Sequence, residues 1–367
     1  MGATGHVILS GQSRALTMRN IFQHRDQQDP EEMTLIAGLE DRIETMLGQV
    51  LPDLSSFALV DFPKHDNVGD SAIWLGEVAY LAARGVRPSY VCTFGDYAAE
   101  ELRRSVPDGP ILIHGGGNFG DIWPAHQEFR ETLLAQFPDR QIIQLPQSLH
   151  FGSDEALQRT AAAIARHGKF HLFVRDRRSY DIATNAFDCP VELCPDSALY
   201  LGPLARPVKP STDLFCLMRT DRERNDASAA AVEFPSEAVI GDWVRLRRHA
   251  RTINKVSSVP LNPFLSAADR KYQFFNALAG CQLRRGAQLL SSGRFVLTDR
   301  LHAHIIALLL QIPHVVLDNS YGKVSGFVEQ WTSASKLVHV AKDLPGAFAI
   351  YRAAKQDSWR QQAAKVA

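Results

Sequence analysis

Cysteine, long apolar runs and a dominant sign of charge are all scarce in this chain of 367 residues. The five cysteines (Cys92, Cys189, Cys194, Cys216, Cys281) are scattered, with no close pair of the zinc-binding kind, which fits a reducing compartment. Lys plus Arg equals Asp plus Glu at 40 each, so no overall field favours nucleic acid or a broadly acidic partner. Apolar runs such as Ile305–Leu310 are far too short to cross a bilayer. Arg14 and Arg19 stand near the start without an apolar core, so no secretory signal is expected. There is no internal repeat and no low-complexity tract. The expected location is the cytoplasm.

What is present is enough apolar material, 45%, for large cores, in a chain longer than one core usually supports. Residues 1–52 are polar and helix-like, with Pro30-Glu31-Glu32 opening a run to Leu51, and form an expected N-terminal helical extension. From Phe57, apolar strands alternate with amphipathic helices: FALVDF, SYVCT, PILIHG, QIIQLPQ, FHLFVRD and VELCPD, then DLFCLMRT, RFVLT and HVVLD. This alternation predicts an α/β protein with mostly parallel sheets. The Pro-rich stretch 200–212 divides it. The expected arrangement is two Rossmann-like domains facing a cleft, 53–205 and 206–342. A last helix within 343–367 is expected to pack across their boundary. The helix after PKHDNVGD should be capped by Asp70 or Ser71 and stopped at Gly85.

The ends of these strands carry the chemistry. In TDRLHAHIIALLL, strand meets helix with Arg300 and His302 in the first turn, a fixed cation and a titratable imidazole suited to an anionic substrate that exchanges protons. Helix capping with a packing histidine is the plainer alternative. Arg219 ends DLFCLMRT, with acidic neighbours Asp221 and Glu223, and Tyr321 and Lys323 follow HVVLD. Arg219, Arg300, His302 and Lys323 together make a cationic pocket for a small polyanion. Lys64, His65, Asp66, Asn67 and Asp70 gather in another strand-end loop, able to bind sugar hydroxyls or to cap a helix. Gly115-Gly116-Gly117, without the GxGxxG spacing, presents backbone N–H groups or simply turns, with Asn118 and Asp121 adding polar groups. His150 closes PQSLH, again beyond a strand. The basic run 245–255 is a solvated helix face or a contact for anionic lipid headgroups or a lipid-linked pyrophosphate. His114 and His304 are assigned to packing, and no metal-binding constellation is evident.

In order along the chain, DNVGDSAIWLGE, ILIHGGGNFGD, QIIQLPQSLHF, FVRDRRSY, LCPDSAL, LMRTDRE and VLTDRLHAHIIALLLQIPHVVLDNSYGKVSGF resemble the polysaccharide pyruvyl transferase family, from about Asp66 to Trp331. The resemblance implies a glycosyltransferase-B-like pair of Rossmann domains using phosphoenolpyruvate as co-substrate, with no cofactor, to place pyruvate on a sugar as a cyclic ketal. It implies donor contacts from Arg219, Arg300 and His302, with Lys323 added on charge. Catalytic groups would be His302 as acid and His150 or Asp66 as base. Acceptor contacts would come from Asn67, Asp70, Gly116, Gly117 and Asn118. The acceptor is a polysaccharide or lipid-linked oligosaccharide, the latter with peripheral contact at the inner membrane face. Two other readings are a nucleotide-sugar glycosyltransferase of the same architecture and a non-catalytic polysaccharide-assembly protein.

Overall fold

A computed structural model describes residues 29–51, 54–219, 233–243, 265–318 and 323–366, the side chains of 323 and 357–366 excepted. The chain runs α1 (Pro30–Val50), β1 (Ala58–Val60), α2 (Val68–Ala83), β2 (Tyr90–Cys92), α3 (Ala99–Ser105), β3 (Ile111–Ile113) and β4 (Gly116–Gly120). It continues with α4 (Pro124–Gln136), β5 (Ile142–His150), α5 (Asp154–His167), β6 (Phe170–Val174), α6 (Arg177–Ala186) and β7 (Val191–Leu193). A second group comprises β8 (Thr212–Leu217), β9 (Ala238–Gly241), α7 (Ala267–Ser291), β10 (Gly293–Thr298), α8 (Leu301–Leu309), β11 (His314–Leu317), α9 (Lys323–Phe327), β12 (Val338–Ala341) and α10 (Leu344–Val366).

The first group forms a sheet in the order β2-β1-β3-β5-β6-β7, with β4 paired to β5 beyond the end of β3. The second forms a sheet in the order β12-β11-β10-β8-β9. Every pairing among the described strands is parallel. The protein is thus α/β with two parallel sheets. Strand order reverses between β1 and β3 in one sheet and between β8 and β10 in the other. Such reversal points open a crevice beyond the carboxyl ends of the strands.

Because strand side chains alternate between faces, each sheet serves two cores. Ala58, Val60, Ile111 and Ile113 pack outward with Leu102, Leu133 and Ile164 of the covering helices. Leu59, Leu112 and Ile143 face the opposite way into a cluster that also holds Phe215, Leu217, Val296 and Val316 of the second sheet. One apolar layer, with α2, α7 and α8 inside it, therefore joins the two sheets. The helix expected as an extension enters this layer too, burying Ile36, Leu39, Ile43 and Leu47. Its buried Glu32 accepts hydrogen bonds from Ser335 Oγ and Lys336 N. Helix α10, expected to pack across the boundary, instead lays Leu344, Ala347, Phe348 and Tyr351 on the outer face of the second sheet, against Phe295, Leu297 and Val315.

Two local readings change. The cap of α2 is Asn67, whose side chain accepts from Gly69 N, so the helix starts earlier than expected and Asp70 sits in its first turn. The glycine-rich segment 116–120, expected as a loop, is strand β4. A Cβ at Gly120 (φ 121°) would stand 1.7 Å from the His150 carbonyl oxygen, so only glycine lets β4 lie this close to β5.

Candidate active site

The reversal between β1 and β3 supplies one wall. Just past β1, Asp61 is fully buried with φ 69°, a backbone state that costs a non-glycine residue about 1–3 kcal/mol and persists where its surroundings over-determine it. Those surroundings are His126, whose Nδ1 lies 2.9 and 3.0 Å from the two carboxylate oxygens, and Asn118, whose Nδ2 lies 3.4 Å away. Asn118 is fixed in turn, its Oδ1 accepting from Arg130 Nη2 (3.0 Å) and Gln147 Nε2 (2.7 Å).

At the start of α2, Asn67 Nδ2 donates to Asp70 Oδ2 at 2.8 Å, and His65 Nε2 lies 3.4 Å from the same oxygen. Burial pushes the Asp70 carboxyl up, but His65, His302, His114 and Arg175 outweigh it and hold the group below its usual range. Past β3, His114 Nδ1 pairs with Glu77 Oε2 at 2.8 Å, and Glu77 Oε1 accepts from Gly115 N at 2.8 Å. Burial alone would lower the His114 pKa; the Glu77 carboxylate raises it above the ordinary value. Its Nε2 has no hydrogen-bond partner and the residue lines the cavity. That corrects its assignment to packing. His304 does pack, bonded to His314 Nε2 (2.8 Å) and Thr332 Oγ1 (3.0 Å) in the interior.

The reversal between β8 and β10 supplies the opposite wall. The backbone N of Arg219 donates to both oxygens of Asp299, at 2.8 and 3.1 Å. Burial pushes the Asp299 carboxyl up to about 6 despite those bonds. Arg300 occupies the cap position of α8, its Nη2 3.1 Å from Asp242 Oδ1 and its guanidinium 5.7 Å above the ring of Trp243. His302, in the first turn of that helix, places Nε2 3.3 Å from Asp196 Oδ2 and 3.3 Å from Arg175 Nη1. Arg175 Nη1 also reaches Asp196 Oδ2 at 2.5 Å. Burial would raise the Asp196 carboxyl, but Arg175 and His302 hold it far below its usual range. A carboxylate at that position orients the imidazole.

Between the walls lies a cavity of about 400 Å³. Of the residues singled out in the sequence, His65, Asp66, Asn67, Asp70, Gly115, Gly117, Asn118, Arg219, Arg300 and His302 line it. Gly116 (φ 131°) lies behind that lining, against Asp70 and Gln147. His150 is not in the lining; its Nδ1 lies 3.7 Å from Asp121 Oδ1, at a carboxylate that also accepts from Gly152 N and Ser153 N. The strand carrying it overruns β3, so its end projects past the cavity rather than into it. The side chain of Lys323, residues Tyr321, Asp221 and Glu223, and the basic run 245–255 lie outside the described residues.

Sequence reasoning missed Asp61, Trp123, His126, Arg175 and Trp243 in the lining, and the buried Asp196 and Asp242 behind it. Arg175 and Asp196 each stand just past a strand, in FVRDRRSY and LCPDSAL, the position that drew attention to Arg219 and His150. Asp61 gives no such signal, because it reads as the end of an apolar strand. Among the described residues no His, Cys, Asp and Glu side chains are grouped to hold a metal ion, and no helix is long and apolar enough to cross a membrane.

Residues 67–321 match the family model described as "Polysaccharide pyruvyl transferase". The chain belongs to this family. It is 34% identical over 301 residues to "Pyruvyl transferase 1" of Schizosaccharomyces pombe (strain 972 / ATCC 24843), covering 76% of this chain and 70% of that one. It is 31% identical over 303 residues to "Putative pyruvyl transferase EpsO" of Bacillus subtilis (strain 168), covering 80% and 90%. An uncharacterized protein from Klebsiella pneumoniae subsp. pneumoniae NTUH-K2044, known from its crystal structure, shares the fold at TM-score 0.53 and 19% identity, covering 83% of this chain and 98% of that one. The chain is therefore an enzyme of the pyruvyl transferase kind, and the cavity is its candidate active site.

Proposed function

We propose that this enzyme takes pyruvyl from phosphoenolpyruvate and joins it, as a cyclic ketal, to two hydroxyls of one residue in a polysaccharide or lipid-linked oligosaccharide. The observation that supports this reading is the polarity of the cavity. Arg219 and Arg300 belong to the β8/β10 wall, whereas Asp61, Asp66, Asp70 and His126 belong to the β1/β3 wall. An anionic donor suits the first and a hydroxyl-rich acceptor the second. In this reading the two sheets are the cores of two Rossmann-like domains, glycosyltransferase-B-like, and the cavity is their cleft.

The reaction gives each wall a task. The donor's methylene carbon takes a proton, leaving cationic character at the central carbon. One sugar hydroxyl adds there and loses its proton. The second hydroxyl displaces phosphate, which leaves with the bonding pair, and loses its own proton. Guanidinium groups of Arg219 and Arg300, to which the sequence reading adds Lys323 on charge alone, hold the donor's carboxylate and phosphate and stabilise the developing charge. His302, oriented by Asp196 and Arg175, delivers the methylene proton. His126, oriented by Asp61, receives a hydroxyl proton, the part that sequence reasoning gave to His150 or Asp66. Asn67, Asp70, Gly117 and Asn118 hold the acceptor's hydroxyls.

Thermal denaturation with candidate donors tests the reading. Phosphoenolpyruvate at one hundred times its Kd adds about 2.7 kcal/mol of stability and raises Tm, and Arg300→Ala removes the response. A rise in Tm with a sugar nucleotide alone, or phosphate release from phosphoenolpyruvate at full rate by Arg300→Ala, overturns it.

A further inference from the structure

Two large aromatic side chains stay in solvent beside the β1/β3 wall: Trp123 is 48% exposed and Phe94 46%. Isolated exposed apolar residues are ordinary. These two are neither isolated nor loosely held. Phe94 leads a turn closed by a reciprocal box in which Thr93 Oγ1 accepts from Gly95 N and Asp96 N while Asp96 Oδ1 accepts from Thr93 N at 2.6 Å. Lys271 of α7 clamps the same turn through Asp96 at 2.9 Å. Trp123 caps α4 immediately before Pro124 and lines the cavity, and its carbonyl accepts from His126 N at 3.1 Å. The Phe94 ring meets the His126 ring edge-on, 4.8 Å between centroids. Phe94 thus packs on the His126 ring, and Trp123, one helical turn before His126, lines the same cavity, with Asp61 and Asn118 holding His126 from behind.

A rigid, exposed aromatic surface next to carboxylate, amide and imidazole groups is complementary to a pyranose ring. The ring's C–H face needs an aromatic plate, and its rim of hydroxyls needs fixed acceptors and donors. The charged groups next to the two aromatics are paired with each other, Asp61 with His126 and Asp96 with Lys271, which offers no excess positive charge to a sulfated or carboxylated sugar, so the ring is uncharged. We propose that Trp123 and Phe94 form a stacking subsite for a second, neutral sugar ring, adjacent in the glycan to the ring that receives pyruvyl. The acceptor is consequently a disaccharide or longer chain and not a monosaccharide. Which ring reacts rests on the function proposed above; the subsite itself does not.

The probes are neutral saccharides from one to six residues long, immobilised as an array and titrated in solution by tryptophan fluorescence against the full chain. At least one di- or longer saccharide should bind about tenfold more tightly than its own terminal monosaccharide, equivalent to about 1.4 kcal/mol. Trp123→Ala and Phe94→Ala should bring that ratio toward one, and Trp123→Phe should restore most of it. The proposal is overturned if the ratio survives Trp123→Ala, if mono- and oligosaccharides bind the unaltered chain equally, or if no neutral saccharide binds it. Thermal shift of the unaltered chain with phosphoenolpyruvate, run in parallel, separates the two claims. A retained length ratio without donor response sinks the proposed reaction and leaves the subsite, and the converse result does the opposite.

Discussion

A β-carbon at Gly69 would stand 2.4 Å from Nδ1 of His302, so the first turn of α2 seats the imidazole carried by the first turn of α8. The contact joins the two walls of the cavity at the residue assigned the proton transfer. Gly69→Ala must push the ring away from Asp196, because the helix backbone that carries residue 69 cannot retreat. A displacement near 1 Å at a reacting group costs about 10²-fold in turnover. We expect kcat for phosphate release to fall by that order while the circular dichroism spectrum is kept. Unchanged kcat would mean that the seat of His302 has no bearing on the chemistry.

Asp196, itself buried, serves two partners, accepting from Arg175 Nη1 at 2.5 Å and lying 3.3 Å from His302 Nε2, with Ala198 N donating to its other oxygen at 2.8 Å. Asp196→Asn keeps the shape and removes the charge, leaving the Arg175 guanidinium uncompensated in the interior. Loss of one partner of a buried pair costs about 3–5 kcal/mol. A lower urea midpoint at neutral pH, together with a turnover decrease of about 10²-fold or more, is the expected pair of results. Stability equal to that of the unaltered chain would show that the pair contributes nothing net.

Acid should weaken the fold through a different pair. His314 Nδ1 donates to Ile312 O at 2.7 Å, so its Nε2 is the acceptor for His304 Nδ1–H, and His304 Nε2 in turn accepts from Thr332. Both rings are therefore neutral, and burial holds both pKa values down, that of His314 to about 4. The folded value lies below the unfolded one, near 6.5, so the unfolded chain binds more protons below that pH. Stability from this pair is full above pH 6.5 and is lost as pH falls toward 4, by about 2 kcal/mol at pH 5 for His314 alone. His114, raised by Glu77, works in the opposite sense: its contribution is full below 6.5 and fades as pH rises through the folded value. Comparison of the unaltered chain with His314→Gln in urea between pH 7.5 and 5 isolates the first effect, and the variant should show the smaller acid loss.

Most of the framework was legible because buried parallel strands are short apolar runs and their helices carry an apolar stripe. What escaped is physically specific. Strand β4 is built of Gly116, Gly117, Asn118, Phe119 and Gly120, a composition that denies β propensity and is tolerated because β5 overruns β3 and offers it an edge. Strands β9 and β12 are four-residue edge strands whose Val239, Ile240 and Val340 face solvent, so neither has the alternation of a half-buried strand or the length of a buried run. The site was legible where a charged residue follows a strand directly, as at Arg219 and Arg300. It was hidden where a charge is buried within an apolar context, as at Asp61 and His114, since isolated sequence cannot separate a packing residue from one facing a cavity. His150 marks the converse error: a strand end is a good address only when the strand stops level with its neighbours.

Arg285 of α7 ties the two walls from behind. Its Nη2 donates to Asp66 O and its Nη1 to Trp243 O, each at 2.6 Å, while Gln282 Nε2 reaches Asp66 Oδ1 at 3.1 Å. One guanidinium thus fixes the loop leading to Asn67 and Asp70 against the segment carrying Asp242, the partner of Arg300. The planar fork matters here, because two carbonyls on separate loops are bridged at once. Arg285→Ala strands both, and at about 1–3 kcal/mol for each carbonyl left unsatisfied the expected loss is about 2–6 kcal/mol in urea denaturation. Arg285→Lys keeps the charge but reaches one carbonyl, so it should recover about half. The two loops hold different substrates in the proposed reaction, and loosening their common tie should raise KM for donor and acceptor together. A rise for one substrate only would show that the walls are positioned independently of each other.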